Sequence, residues 1–159
     1  MLTLDLTNAP HWHDLAPGVR VQLRPLTTAL MVATRSDPTV EAVPEDASDE
    51  ERAVAKESVK SLLGFYSSTP AYRPPMEAVG FGDLQPELNR LSKEGKWEEL
   101  GRHIDDDFVE AFATSGAPGE IAGKLRDKYG EHADRLAIYA PYAAPDAMWA
   151  GIISDLKRG

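Results

Sequence analysis

From Lys56 to Gly159 the chain repeats the pattern of a helix and shows that of a buried strand only once, and one strand cannot make a sheet. The candidate is Arg135 to Ala140, a short run centred on Leu136, Ala137, Ile138 and Tyr139 and closed by Pro141. Helical patterns flank it on both sides, the alternation of an α/β fold. A segment of this kind leaves strand and helix faces uncovered and needs something to pack against.

The helices are marked by apolar spacing and by their ends. Ser48 followed by Glu51 has the spacing of a capping box, and Ala55, Val59, Leu62 and Tyr66 then share one face. Pro70 stops that helix, because the residue before a proline is pushed out of the helical region. Shorter pieces are expected over Leu84 to Lys93 and over Trp97 to Ile104, where Trp97, Leu100 and Ile104 lie on one side. Asp105, Asp106 and Asp107 place carboxylates at the start of the next turn, where the helix dipole favours them. Phe108, Val109 and Phe112 form its stripe. Pro118 opens another helix at the first position, lined by Ile121, Leu125 and Tyr129 and ended by Gly130. A closing helix carries Met148, Trp149, Ile152, Ile153 and Leu156 at 3–4 spacing.

The opening third reads differently. Leu2, Leu4 and Leu6 alternate with polar residues, as do Val19, Val21 and Leu23 after the Pro17-Gly18 turn signal. These predict an antiparallel pair joined by a polar loop, then a short helix from Thr27 or Thr28 through Ala33. Residues 1–35 are therefore read as a β-hairpin with a short helix, and 36–50, acidic with two prolines, as a linker or exposed loop. Residues 51–159 form the helical segment.

Composition narrows the partners. An apolar content of 42% supports a real core. The net charge of −9 argues against nucleic acid or an anionic membrane. No cysteine is present, so disulfides, thiolate nucleophiles and cysteine metal sites are excluded, which fits a reducing cytoplasm. Met1 to Asp5 lacks the basic start of a signal peptide, and no stretch approaches ~18 apolar residues, so a cytoplasmic location is expected.

Few residues look chemical. His11 and His13, at i and i+2, could share a face of an extended segment and with the Asp14 carboxylate hold a metal, or belong to a loop anchored by Trp12. His103 beside Asp105, Asp106 and Asp107 could be an acid/base pair, although a carboxylate-rich helix start explains the same residues. His132 sits in a turn after Gly130 and is expected in solvent. Neither a phosphate-cradling glycine loop nor a dinucleotide fingerprint is present. The stretch Phe65 to Pro74 crowds hydroxyls, two tyrosines and an arginine into a break between helices. Ser68, Thr69 and Arg73 could meet a phosphate or carboxylate there, with Tyr72 beside a flat ring. A proline-broken corner with aromatic packing is the plainer alternative.

These strings carry a resemblance. Phe65 to Pro74, Gly82 to Ser92, Gly95-Lys96-Trp97, Phe112 to Ile121 and Asp134 to Tyr142 are similar to the C-terminal part of luciferase-like monooxygenase family oxidoreductases, nearest to their deazaflavin-dependent branch. The similarity covers about Lys56 to Leu156. It implies a (β/α)8 barrel that binds a deazaflavin or flavin mononucleotide (FMN) and transfers hydride to or from a small-molecule substrate. Ser68, Thr69, Tyr72 and Arg73 are then the cofactor-binding candidates; no catalytic residue is assigned.

On that pattern Arg135 to Ala140 is the last barrel strand. Ala117 stands where the family has a capping threonine, and Gly119 where it has a glutamate. A whole barrel takes roughly 200 to 250 residues or more, so the chain is expected to hold a partial barrel, inactive alone and prone to self-association. Residues 1–55 resemble instead the start of small phage or gene-transfer-agent tail-assembly proteins, which implies a structural alternative without catalysis and a fusion of unrelated pieces. The fold class expected is helix-rich α/β: an N-terminal β-hairpin plus a partial (β/α)8-barrel fragment.

Overall fold

The strand partners missing from the C-terminal reading come from two short stretches, one read as linker and one, Ala113–Ser115, given no element between two helices. The computed structural model describes residues 11–16, 19–23, 39–133 and 135–158, the first two stretches by backbone pairing alone. Its strands are β1 (His11–Ala16), β2 (Val19–Leu23), β3 (Thr39–Glu41) and β4 (Ala113–Ser115). Its α-helices are α1 (Asp49–Ser67), α2 (Arg73–Ala78), α3 (Gln85–Lys93), α4 (Asp106–Phe112), α5 (Pro118–Tyr129) and α6 (Asp146–Arg158). Three 3₁₀ turns, Pro70–Tyr72, Gly82–Leu84 and Trp97–His103, join the middle helices.

β3 and β4 run parallel, with Thr39 opposite Ala113 and Glu41 opposite Ser115. On its other edge Thr39 bridges Tyr139, also in parallel, and the Val40 N–H donates to the Tyr139 carbonyl at 2.9 Å. The order is therefore β4, β3, Tyr139, with the earliest strand in the middle. Three successive strands within a barrel wall would stand in chain order, and the first lies between the second and the last only where a ring of strands closes. The expected central strand, Arg135 to Ala140, contributes only this bridge: Leu136 and Ile138 are half-buried, while Tyr139 remains 45% exposed at the sheet edge.

The linker expectation for 36–50 fails at its centre, because Thr39, Val40 and Ala42 are all buried. A short parallel strand covered on both faces shows no alternation of polar and apolar residues, so the pattern that reveals a half-solvated strand is missing. At the N-terminus β1 pairs antiparallel with β2, His11 opposite Leu23, with a register shift between Asp14 and Ala16. β2 coincides with the expected second strand. Its partner is His11–Ala16, read from sequence as loop; the Leu2–Leu6 strand and the Thr27–Ala33 helix lie outside the described residues.

Each face of the small parallel sheet meets its own core. Val59, Leu63, Met76, Leu88, Leu100, Phe108 and Ala113 form one cluster with α1 to α4. Val40, Ile121, Leu125, Tyr129 and Ile152 form the other with α5 and α6. Tyr142 ties β3 to the C-terminal segment: its Oη accepts from the Ala42 N–H (2.6 Å) and donates to the Ala42 carbonyl (2.8 Å). Burial is the main reason its phenol is pushed up to about 12. Among the described residues no helix is long and apolar enough to cross a membrane.

The helix starts follow their sequence signals. Ser48 Oγ accepts from the Glu51 N–H (3.2 Å), and the Glu51 carboxylate accepts from the Ser48 N–H (2.8 Å), completing the capping box. The buried stripe of α1 is Ala55, Val59 and Leu63, so the expected Leu62 is shifted by one position. Trp97 lies outward against Phe65, with ring centres 6.0 Å apart. Gly64 is where α1 meets the 97–103 turn, since a Cβ there would lie 2.9 Å from the carbonyl carbon and oxygen of Leu100. Backbone cannot retreat as a side chain can. Gly64→Ala should therefore cost roughly 1–3 kcal/mol by overpacking, read as a lower urea midpoint at unchanged slope.

Candidate functional site

The carboxyl ends of β3 and β4 open onto a cleft of about 400 Å³ whose lining includes Glu41, Lys56, Asp106, Thr114, Ser115 and Lys128. In open α/β sheets ligands sit outside this end of the strands, because the loops there are free to shape a crevice. The strand ends are held together where the Gly116 N–H donates to the Glu41 carbonyl at 3.1 Å. Asp105 caps α4 by accepting from the Phe108 N–H at 2.8 Å, which leaves Asp106 on the outer first turn.

Every lysine in the wall is already engaged. Lys56 and, behind it, Lys60 pair with Asp106 at 2.8 and 2.9 Å. Hydrogen bonds from Lys56 and then Lys60 hold the Asp106 carboxyl down to about 2. Lys128 donates to the carbonyls of Ala111 (2.9 Å) and Ala113 (3.0 Å) where α4 runs into β4, and burial pushes its ammonium down from the ordinary lysine range. Lys124 donates to the Ser115 carbonyl (2.8 Å) and to Glu120 (3.1 Å).

The acceptors are not engaged in the same way. Glu41, half-buried as the last residue of β3, has no ion pair among the described residues. Burial raises its carboxyl above the ordinary glutamate value, against the pull of Lys56. Ser115 lies close enough to favour the ionised form of Glu41 without making a bond of good geometry; its Oγ and the Thr114 Oγ1 are buried and unpartnered. Thr114 itself is only 4% exposed.

The residues singled out from sequence lie elsewhere. Ser68, Thr69, Tyr72 and Arg73 stay together at the corner after α1, and Tyr72 packs against Tyr66 at 5.7 Å. Tyr72 lines a small hollow of about 40 Å³ that also touches Thr39, the first residue of β3, so the corner sits at the opposite end of that strand from the cleft. Ser68 is buried: its Oγ donates to the Phe65 carbonyl (2.7 Å), and its own carbonyl accepts from Gln85 and Asn89. Thr69 is exposed and makes no side-chain cap, and exposed Arg73 pairs with Glu77 at 2.7 Å.

His103 and His132 are exposed, and the carboxylates after His103 serve the helix start and the Lys56 and Lys60 pairs. The side chains of His11, His13 and Asp14 lie outside the description; among the described residues no group of three or more ligating side chains could hold a metal. Glu41, Thr114 and Lys128 were missed. A run of small and β-branched residues, Ala113-Thr114-Ser115, set directly before a proline-started helix, is the strand–loop–helix signal that could have found them.

The two carboxylates titrate in opposite senses. Asp106 is depressed in the folded chain, so its contribution to stability is present above its ordinary value of 3.8 and is lost as pH falls towards about 2. Glu41 is raised, so its contribution is present below the ordinary 4.5 and is lost as pH climbs above it. Urea midpoints measured from about pH 2 to 7 should lose the acid limb in Asp106→Asn and the limb above 4.5 in Glu41→Gln.

Residues 26–135, over half of the chain, match the luciferase-like monooxygenase family. That span begins inside the 1–35 segment and takes in the whole stretch read as linker. Three relatives, uncharacterized proteins from Mycobacterium bovis and from two strains of Mycobacterium tuberculosis, are each 47% identical over 129 residues. The aligned part is 81% of this chain and 34% of each relative, so the chain spans about a third of their length. No solved structure matches. A family match of this extent, on a helix-rich α/β framework with its cleft at the strand carboxyl ends, means that the chain belongs to the luciferase-like monooxygenase family.

Proposed function

We propose that this chain is one part of a flavin- or deazaflavin-dependent oxidoreductase, and that the Glu41–Thr114 cleft is its share of the ligand site. The observation that carries this reading is the cleft at the carboxyl ends of β3 and β4 within residues 26–135, the span of the family match. When bound, such a cofactor supplies hydride transfer. The residues here fit only part of it. A phosphate needs free donors, and each lysine of the cleft already serves a carboxylate or a carbonyl. No lysine of the cleft is therefore free to hold the phosphate.

The corner at Ser68, Thr69, Tyr72 and Arg73 is the rival position. Its Arg73–Glu77 pair is an exposed i,i+4 contact, of a kind that contributes ~0.3–0.5 kcal/mol and exchanges readily. Fluorescence titration with FMN and with a deazaflavin separates the two. Saturation below roughly 50 μM, corresponding to about 6 kcal/mol, supports the reading, and absence of binding there rejects it. Arg73→Ala should leave the affinity unchanged if the cleft is the site, whereas Glu41→Gln should alter it.

We further propose that the chain self-associates through the face left open between α5, α6 and residues 135–140. Leu136, Ile138, Ile153 and Leu156 line a groove of about 630 Å³ there, and Ile153 is 44% exposed. Exposed contiguous apolar surface favours association. Light scattering at working concentration should give more than the monomer mass of 17.4 kDa, and a clean monomer removes this proposal.

A further inference from the structure

Two surfaces of the chain set exposed apolar side chains beside charges of opposite sign. The first is the groove along α6. Its lining holds three cations, Arg126, Arg135 and Lys157, and no carboxylate, on a chain whose net charge is −9. Arg126 donates to the Asp155 carbonyl at 2.8 Å, whereas Arg135 and Lys157 have no ion pair among the described residues. The second surface lies where α1 meets the 97–103 turn. Phe65 and Trp97 are 51% and 52% exposed there, with ring centres 6.0 Å apart. Adjacent rings left in water mark a contact surface more often than a lone exposed side chain does. Glu98 and Glu99 follow Trp97 on the first turn of that 3₁₀ helix and have no ion pair among the described residues. The charge of neighbouring Lys96 is already met by Glu94 at 2.9 Å.

We propose that copies of this chain associate head to tail, with Phe65 and Trp97 of one copy seated in the α6 groove of the next and Glu98 and Glu99 facing Arg135 and Lys157. This rests on the association through the groove proposed above, and it names the surface that fills that groove. Two grooves pressed together would set three cations against three with no carboxylate between them, and like charges brought together at an interface are costly. Two aromatic patches would likewise oppose carboxylate to carboxylate. The crossed pairing answers both. The groove borders the core of α5 and α6 and the patch that of α1 to α4, which the small sheet separates, so a copy cannot seat its own patch in its own groove. A contact between unlike surfaces repeats from copy to copy, giving a ring or an open row where a contact between like surfaces would close a pair.

Sedimentation equilibrium on the full chain, with two surface variants, tests the pairing. Trp97→Ala removes the anchor of the patch, and Ile153→Asp, at a position 44% exposed, places a charge in the groove. The parent should exceed 17.4 kDa by an amount that grows with concentration. Each variant alone should associate at least roughly thirtyfold more weakly, as follows when a central aromatic anchor is lost. An equal mixture should regain one contact of parental strength and stop at two copies, because Ile153→Asp keeps a patch and Trp97→Ala keeps a groove. That recovery also shows that both variants are folded. Glu98→Lys with Glu99→Lys should weaken association roughly tenfold although it brings the net charge nearer zero, and adding Arg135→Glu and Lys157→Glu should restore it.

A parent that stays monomeric removes the association reading and the head-to-tail contact with it. A parent that associates while Trp97→Ala does so equally well overturns the head-to-tail contact alone, and a monomeric Ile153→Asp then assigns the association to groove against groove. A mixture that remains monomeric, or reversed carboxylates that tighten association, overturns the contact as well.

Discussion

The structure depends on three residues of backbone. β3, Thr39 to Glu41, pairs with β4 along one edge and with Tyr139 along the other, and its central Val40 is wholly buried. An unpaired backbone group at such depth would cost about as much as a lost hydrogen bond, so the strand is tolerated only because both edges are filled. Tyr142 extends the same logic past the strand end by giving the Ala42 N–H an acceptor and its carbonyl a donor. The two cores meet across this short ladder, α1 to α4 on one face and α5 with α6 on the other.

The cleft follows from the ladder's direction. Because β3 and β4 run parallel, their carboxyl ends lie side by side, bringing Glu41 next to Ser115 although 74 positions separate them in sequence. The flanking helices then supply the rest: α1 carries Lys56, the capped start of α4 carries Asp106, and α5 carries Lys124 and Lys128. Lys128 is positional as much as electrostatic, since it closes the carbonyls left open where α4 passes into β4. Cations used in this way hold the walls and leave Glu41 as the wall carboxylate without an ion pair among the described residues.

The open side of the sheet has the opposite character. Residues 135–140 bring half-buried Leu136 and Ile138 and exposed Tyr139 to an edge that bonds β3 through a single bridge. An apolar groove lined by Leu136, Ile138, Ile153 and Leu156 runs beside this edge along the last helix. Three strand segments among the described residues do not make a closed barrel, so the family resemblance is carried by local strings and helix starts more than by sheet topology.

Much of the helical framework was legible from residues alone. The Ser48–Glu51 box, Pro70 as a stop, the Asp105 cap, Pro118 as a start and the Ile121, Leu125, Tyr129 stripe are local devices, complete within a few positions of chain. The family, too, could be read from contiguous strings. Strands β3 and β4 could not, because a three-residue parallel strand shows no alternation and exists only through the partner it finds. The same limit hid the cleft: Glu41 looked like one more charge in an acidic linker, and Thr114 fell between two helices with no element of its own. Local chemistry decided where helices begin and end. Which polar atoms face one another, and which are left without a partner, was decided by pairing across long stretches of chain, where no short-range signal operates.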